Sequence, residues 1–204
     1  VTDLEVIIID DGSSDGTGRV LEQLCKQYPA VVKVITHRTN QGKGACIRSA
    51  IAAMTGDICV IQDADLEYDP ANYPLLLGPL VDGVADCVYG SRFQGEQAKR
   101  VLLFWHYLGN KFLTFLSNVF NNINITDMET GYKAFRSDVL KRITIVSNRF
   151  GFEPEVTAKA ARLRCRMYEV GISYFGRTYA EGKKITWVDG IKAIFSIFRF
   201  WISH

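Results

Sequence analysis

Short apolar runs alternate along the first half of the chain with longer mixed stretches, and this alternation predicts strands and helices in turn. The predicted helices are 16–27 and 44–54. The predicted strands are 4–9, 31–35, 58–62 and 85–89. Strands that alternate with helices through short connections are typical of a parallel sheet covered by helices on both faces. The pattern therefore predicts an α/β fold with a mostly parallel sheet.

The second half of the chain departs from this rhythm. A long helix is predicted at 100–120, with aromatic and aliphatic residues in one stripe that either joins the core or lies on a membrane. A further helix is predicted at 152–163 and a strand at 166–174. The apolar segment 191–202 favours an interfacial helix or the approach to a membrane segment, with a helix docked on the core as the alternative. No apolar run reaches the roughly 18 residues that suggest a spanning helix.

Composition narrows the classes of partner. The 204 residues carry a formal net charge of +2, so no nucleic-acid partner is expected. Acids dominate up to residue 86 and basic residues between 92 and 184, so an anionic ligand is expected near the second half. The five cysteines form no C-x-x-C pair, which favours reduced thiols and a cytosolic environment. The three histidines show no spacing typical of zinc ligands.

A group of acids follows the strand predicted at 58–62. Asp63, Asp65, Glu67 and Asp69 occupy alternating positions there. Ligands of open α/β sheets bind at the carboxyl ends of strands, and alternating residues point the same way, so Asp63 and Asp65 can share one divalent cation. Carboxylate oxygens suit Mg²⁺ or Mn²⁺. The alternative is a solvated acidic turn.

Two glycine-containing turns each precede a predicted helix. Asp10 and Asp11 open the first, where they can accept hydrogen bonds from a base or ribose, or cap the helix. The second, 39–45, places Lys43 at a helix N-terminus, where backbone amides attract phosphate. It lacks the pattern of a P-loop.

Six segments, taken in order, resemble the family 2 glycosyltransferases of GT-A fold. They are VIIIDDGSSDGT, NQGKG, DAD, GSRF, DMETGYKAF and RTYAEGKK. The nearest likeness is to polyprenyl-phosphate sugar transferases such as dolichol-phosphate mannose synthases. The resemblance implies a GT-A, Rossmann-like domain over 1–190 together with an amphipathic, membrane-interface region. Residues 191–204 would be the start of a C-terminal segment that lies at the interface or approaches the membrane. It also leads us to expect one more strand upstream, whose addition should raise the melting temperature.

The resemblance assigns donor-side roles to residues of these motifs. Asp10 and Asp11 would contact the nucleoside, and Asp63 and Asp65 would hold Mg²⁺ or Mn²⁺ on the donor diphosphate. Many relatives have glutamine where this chain has Glu67, the third predicted metal ligand. The predicted phosphate contacts, besides Lys43, are Arg177 and Lys184, and Lys133 is predicted to be among the residues that bind the donor.

Other residues are assigned to the acceptor and to the transfer itself. Arg92 and Arg100 would receive the phosphate of the acceptor, and Asp127 would lie near the transferring sugar. The residues predicted to take part in catalysis are Asp65, Asp127 and Arg92. Glu153 stands near the position of a catalytic base in other members, but it could equally cap the helix that follows.

The reaction implied is metal-dependent, inverting transfer of a hexose from a nucleotide sugar, UDP-glucose or GDP-mannose, to a polyprenyl phosphate. The resemblance places it on the cytoplasmic face of a membrane, with the membrane surface as a partner, and allows for a homo-oligomer. Two alternatives stay open. A sugar-phosphate nucleotidyltransferase would use carboxylates on a related sheet, and a scaffold of the same fold would bind lipid without turnover.

Overall fold

The computed structural model describes residues 3–95, 100–101, 103–149, 151–177, 181 and 187–202. Its contacts divide the chain into two compact units. The first unit comprises Val1–Asp57 and Thr144–Phe152, and the second comprises Ile58–Ile143 and Glu153–His204.

The first unit contains the β and α elements that the hydrophobic pattern predicts. Its strands β1 and β2 pair in parallel, from Val6 opposite Val32 to Asp10 opposite Thr36. Helix α1 follows β1, and α2 follows β2, so both strands end beside a turn that leads into a helix. The elements are β1 (Val6–Asp10), α1 (Thr17–Gln27), β2 (Val32–Thr36) and α2 (Lys43–Ala53).

The second unit contains a four-stranded sheet in the order β3-β5-β4-β6. Strand β4 pairs with β6 in parallel, whereas β5 runs antiparallel to both β3 and β4. The sheets described are therefore mixed, which corrects the prediction of a mostly parallel sheet. The strands are β3 (Ile58–Ile61), β4 (Cys87–Ser91), β5 (Lys133–Arg136) and β6 (Met167–Gly171).

Five helices and a short 3₁₀ turn (Pro70–Asn72) accompany this sheet in the described part of the chain. All five residues of β4 are buried, and Leu76 of α3 packs with Val88, Ala134 and Ile172 in the core. Burial on both faces explains why β4 carries no charged residue and shows no alternation of apolar and polar positions. The helices are α3 (Tyr73–Val81), α4 (Phe104–Asn121), α5 (Ser137–Leu140), α6 (Phe152–Arg162) and α7 (Trp187–Ile202).

Helices α4 and α7 pack against each other and leave broad apolar faces exposed. The Phe120 ring contacts Phe198 and Trp201 at centroid distances of 4.8 and 4.9 Å. Ile197 and Phe200 of α7 are buried, so this helix is docked while its other face is open. The exposed apolar residues are Phe104, Trp105, Leu108, Phe112, Phe115 and Val119 on α4, and Trp187, Ile191, Phe195, Phe198, Trp201 and Ile202 on α7.

Among the described residues, no helix combines the length and the hydropathy that crossing a membrane requires. All five cysteines are free thiols in this structure.

Candidate active site

The acidic loop begins just after β3. Because β3 ends at Ile61, Asp63 and Asp65 lie in a turn and not in an extended strand. Leu66 has a φ of 62°, and the backbone N–H of Glu67 donates to Asp65 Oδ1 at 3.1 Å. The loop geometry, rather than strand alternation, therefore sets the directions of these carboxylates.

The Glu67 carboxylate anchors the segment that follows β6. Its Oε1 accepts hydrogen bonds from the backbone N–H and from Nε of Arg177, both at 3.0 Å. Its Oε2 accepts from the Tyr174 hydroxyl at 2.8 Å. The Arg177 guanidinium also reaches Asp65 Oδ2 at 3.3 Å. A cation of the protein thus lies on the acidic loop, and both Glu67 oxygens are engaged.

The pKa shifts follow from these contacts. Burial raises the pKa of Asp65, and the negative charges of Glu67 and Asp63 add to the rise. Burial opposes the shift at Glu67, but the hydrogen bonds from Arg177 and Tyr174 lower its pKa. The Glu67 and Asp63 carboxylates thus contribute negative potential at Asp65, which favours a cation, while Arg177 offsets part of it.

These observations test how well the loop fits a divalent metal ion. Asp63 and Asp65 supply hard oxygen ligands, which is the donor chemistry that Mg²⁺ and Mn²⁺ prefer. Both oxygens of Glu67, the third predicted ligand, accept hydrogen bonds from Tyr174 and Arg177 in this structure, so its role as a ligand stays a prediction. We retain Asp63 and Asp65 as the predicted metal ligands. Arg177, predicted to contact phosphate, instead neutralises the loop in this structure.

Arg92 and Asp127 form a buried, bidentate ion pair. Nε and Nη2 of Arg92 each donate to one Asp127 oxygen at 2.7 Å, and the Arg92 backbone N–H adds a third bond at 3.0 Å. Burial alone would lower the pKa of Arg92, but the Asp127 carboxylate raises it well above its usual value. Each residue therefore fixes the position of the other, and Asp127 is largely committed to Arg92.

Glu169 of β6 holds the backbone beside this ion pair through hydrogen bonds. Its carboxylate accepts the backbone N–H groups of Thr126 and Asp127 at distances of 2.8 to 3.1 Å, and the Gln94 side-chain amide at 2.8 Å. No motif in the sequence predicted a role for Glu169. The only signal available was a charged residue inside an otherwise apolar strand.

Lys133 of β5 is fully buried, and its ammonium donates to the carbonyls of Met128 and Thr130. Lys133 was predicted to bind the donor, and this geometry gives it a role in shaping the 127–131 turn. Beside it, the Glu129 Oε1 atom is buried without a hydrogen-bond partner among the described residues. Burial raises the pKa of the Glu129 carboxyl to about 8, and the nearby Glu153 carboxylate adds to the rise. Glu153 itself is buried in the first turn of α6.

Glu129 should make the fold less stable as the pH rises. Between its ordinary pKa near 4.5 and about 8, the folded chain holds a proton that the unfolded chain releases, so stability falls across this window. Replacing the group with an amide removes this contribution. As the pH rises from 5 to 9, we expect the unfolding free energy of Glu129→Gln to increase relative to that of the parent by on the order of 2–4 kcal/mol. Urea unfolding at both pH values measures the difference.

Glu22→Gln, on the exposed face of α1, is the control and should follow the parent at both pH values. Parallel stability curves for the parent and Glu129→Gln would show that Glu129 does not bind the extra proton.

A cavity of about 600 Å³ opens beside Arg92 in the second unit. The Lys111 ammonium lies 5.1 Å from the centre of the Phe93 ring, and Arg100 Nη1 donates to Glu181 at 2.7 Å. The cavity therefore combines three cationic side chains with apolar and aromatic walls, which suits an anionic group attached to an apolar body. Its lining residues are Arg92, Phe93, Arg100, Val101, Phe104, Tyr107, Lys111 and Tyr174.

The first unit contains a second set of predicted binding residues at the carboxyl end of β1. Asp10 Oδ1 accepts from the backbone N–H of Ser13 at 3.0 Å. Asp11 accepts the backbone N–H groups of Gln41 and Gly42 and the His37 ring. Although burial opposes the change, these bonds lower the pKa of Asp11 to about 2. Asp11 therefore holds the turn before α2 in addition to any contact with a ligand.

A smaller cavity of about 340 Å³ lies at this turn, with Lys43, the first residue of α2, at its wall. Gly42 has a φ of 95°, and a side chain at Gly44 would collide with the backbone of Ser147. The glycines of the NQGKG segment are thus required by backbone conformation and close packing. The cavity is lined by Asp11, Asn40, Gly42, Lys43, Cys46 and Arg149.

Two lining cations, Lys111 and Arg149, were missed by the sequence analysis, because neither lies in a recognised motif. Lys184, predicted to contact phosphate, lies outside the described residues.

The α/β fold and the carboxylates after β3 are those of a glycosyltransferase, and comparisons with known proteins establish this class. The chain belongs to glycosyl transferase family 2, whose family model matches residues 1–144. The family and the enzyme class predicted from the sequence motifs are thereby confirmed.

Curated relatives resemble the chain over nearly its whole length. An undecaprenyl-phosphate mannosyltransferase of Micrococcus luteus is 29% identical, over 100% of this chain and 84% of its own length. A dolichyl-phosphate beta-glucosyltransferase of Trichomonas vaginalis is 28% identical, over 98% of this chain and 62% of its own length. These names support the polyprenyl-phosphate sugar transferase type within the family.

A solved structure supports the fold. Glucosyl-3-phosphoglycerate synthase from Mycobacterium tuberculosis, in complex with Mn²⁺, UDP and glucosyl-3-phosphoglycerate, has a TM-score of 0.69 at 20% identity. The likeness covers 96% of this chain and 68% of that chain. It confirms the GT-A class of fold.

Proposed function

We propose that this chain transfers a hexose from a nucleotide sugar, UDP-glucose or GDP-mannose, to a polyprenyl phosphate, with inversion at the anomeric carbon. The observation that carries the proposal is the cavity beside Arg92. Cations there can receive a phosphate, and Phe104 belongs both to its wall and to the exposed apolar face of α4. An acceptor with an anionic head and a long apolar chain matches this combination.

The acceptor phosphate needs placing more than it needs a base. A phosphate monoester has a second pKa near 6, so it is largely ionised at neutral pH and its oxygen can attack without deprotonation. That attack forms a bond to the anomeric carbon as the bond to the nucleoside diphosphate breaks, and the opposite face of approach gives inversion. Because Asp127 is committed to Arg92, the ion pair acts chiefly by positioning the cationic wall of the cavity.

The predicted metal ion, Mg²⁺ or Mn²⁺, would be held by Asp63 and Asp65. When bound, it neutralises charge on the leaving nucleoside diphosphate. Arg177 would have to yield part of its contact with Asp65 to such an ion, while its bonds to Glu67 can persist. Mn²⁺ is present with UDP in the solved structure compared above, which supports a divalent ion without choosing between the two metals.

We further propose that the exposed faces of α4 and α7 rest on the membrane surface that contains the acceptor, on its cytoplasmic side. Together these faces expose five phenylalanines and three tryptophans beside Arg199, a composition typical of interfacial helices. Sedimentation with phospholipid vesicles measures this contact, and a chain that stays entirely in the supernatant would contradict it.

Lys111 offers a test of the acceptor site, since it lines the cavity without taking part in the Arg92–Asp127 pair. We expect Lys111→Met to raise the KM for polyprenyl phosphate about tenfold, the effect of losing roughly 1.4 kcal/mol, with little change in the KM for the donor. Initial rates with each substrate varied in turn separate the two constants.

Lys26→Met, at the end of α1, is the matched control and should keep both KM values. If Lys111→Met raised the KM values for acceptor and donor equally, this cavity would not be the acceptor site. Release of pyrophosphate without lipid product would favour a nucleotidyltransferase, and lipid binding without turnover would favour a scaffold.

A further inference from the structure

Three side chains of different chemistry converge in the first unit, apart from the acidic loop. An Asp11 carboxylate oxygen, a His37 ring nitrogen and the Cys46 sulfur all lie within 4.8 Å of one another. His37 Nδ1 is 2.7 Å from Asp11 Oδ1. The histidine spacing predicted no zinc site, yet the fold brings together the residue after β1, the residue after β2 and a residue of α2.

The hydrogen-bond partners of His37 and Asp11 are also arranged as in a metal site. His37 Nε2 lies 2.9 Å from the Ser49 hydroxyl, which fixes the plane of the ring. Asp11 Oδ2 accepts the Gly42 backbone N–H at 2.7 Å. Histidines that bind metals typically hold their other ring nitrogen on a polar partner in this way, and coordinating carboxylates accept outer hydrogen bonds.

We propose that Asp11, His37 and Cys46 bind one Zn²⁺ ion, or an ion of similar preference. Nitrogen, oxygen and sulfur ligands together select Zn²⁺ over Mg²⁺ or Mn²⁺, so this site is separate from the predicted metal pair of the acidic loop. The adjoining cavity of about 340 Å³ leaves room for water at the fourth position. The proposal does not depend on the identity of the sugar donor or acceptor.

Binding would exchange one proton for the ion. The Cys46 thiol loses its proton to solvent, and the imidazole proton moves from Nδ1 to Nε2, where Ser49 Oγ accepts it. A carboxylate and a thiolate then provide two negative charges that balance the divalent ion. Because Asp11 also holds the Gln41 and Gly42 amides, the bound ion should stabilise the turn before α2 and raise the melting temperature.

Co²⁺ is the probe for this site, because a cobalt–thiolate bond gives a charge-transfer absorption that Mg²⁺ and Mn²⁺ do not produce. The chelator-treated chain is titrated with Co²⁺, and Zn²⁺ is then added as competitor. We expect one equivalent of Co²⁺ to give the thiolate band and Zn²⁺ to abolish it. Cys46→Ser should lose the band, and Ser49→Ala should weaken binding about 10–100-fold, as loss of an outer partner does.

Cys25→Ser on α1 is the matched control for a partly buried thiol outside the cluster, and it should keep the band at full strength. Circular dichroism of each variant verifies its fold. The proposal is overturned if no thiolate band forms, if the band survives in Cys46→Ser, or if Ser49→Ala binds as tightly as the parent.

Discussion

Asp65→Asn should lower the rate of sugar transfer at least about 100-fold, with the fold intact. The change removes one charge from the predicted metal pair, and loss of an outer partner alone already costs 10–100-fold at many metal sites. The amide can still accept the Glu67 backbone N–H through its oxygen, so the loop keeps its shape. Transfer rates at saturating donor, with Mg²⁺ and with Mn²⁺, measure the loss.

Asp69→Asn is the matched control in the same loop. Asp69 caps the 3₁₀ turn by accepting the Ala71 N–H, a role that asparagine also performs, so its transfer rate should stay near that of the parent. If Asp65→Asn kept most of its turnover, Asp65 would not be a metal ligand of the reaction.

Arg92→Met should destabilise the second unit by about 3–5 kcal/mol, because it leaves the Asp127 carboxylate buried without its cation. Wherever the variant remains folded, it should lose acceptor binding more than donor binding, since Arg92 lines the acceptor cavity. Chemical denaturation gives the first quantity, and separate KM values give the second.

The double variant Arg92→Met with Asp127→Leu distinguishes an unpaired charge from lost packing. It should recover much of the stability, since removing both charges leaves neither unpaired. Arg166→Met breaks the exposed bidentate pair with Asp86 and should change stability far less. If Arg92→Met were no less stable than Arg166→Met, burial of the pair would carry little weight. If Arg92→Met lost donor binding and acceptor binding equally, Arg92 would not be a residue specific to the acceptor.

Local patterning was enough to predict most elements of the fold. The apolar runs of β1 to β4 and the helices α1 and α2 appear within a few residues of their predicted bounds. Strand β5 was missed because Lys133–Arg136 is a four-residue segment that overlaps the end of a recognised motif, and its strand character comes from long-range pairing with β3 and β4. The same strand turns the expected parallel sheet into a mixed one.

The sequence predicted which residues belong to the candidate site, but not which of them contact each other. Motif order identified Asp63, Asp65, Arg92 and Asp127 as candidates, but no sequence spacing shows that Arg92 binds Asp127. The contacts of Glu67 with Arg177 also join distant parts of the chain, so they depend on tertiary structure. The predicted roles of these residues rest on the resemblance to the family.

The most direct test of the proposed reaction is transfer of radiolabelled sugar to a short polyprenyl phosphate in detergent. UDP-glucose and GDP-mannose are supplied in parallel, with Mg²⁺, with Mn²⁺ or with a chelator. The account predicts labelled lipid from one of the two donors, formed only when the metal is present. A folded chain that binds metal and nucleotide but labels no lipid with either donor would contradict it.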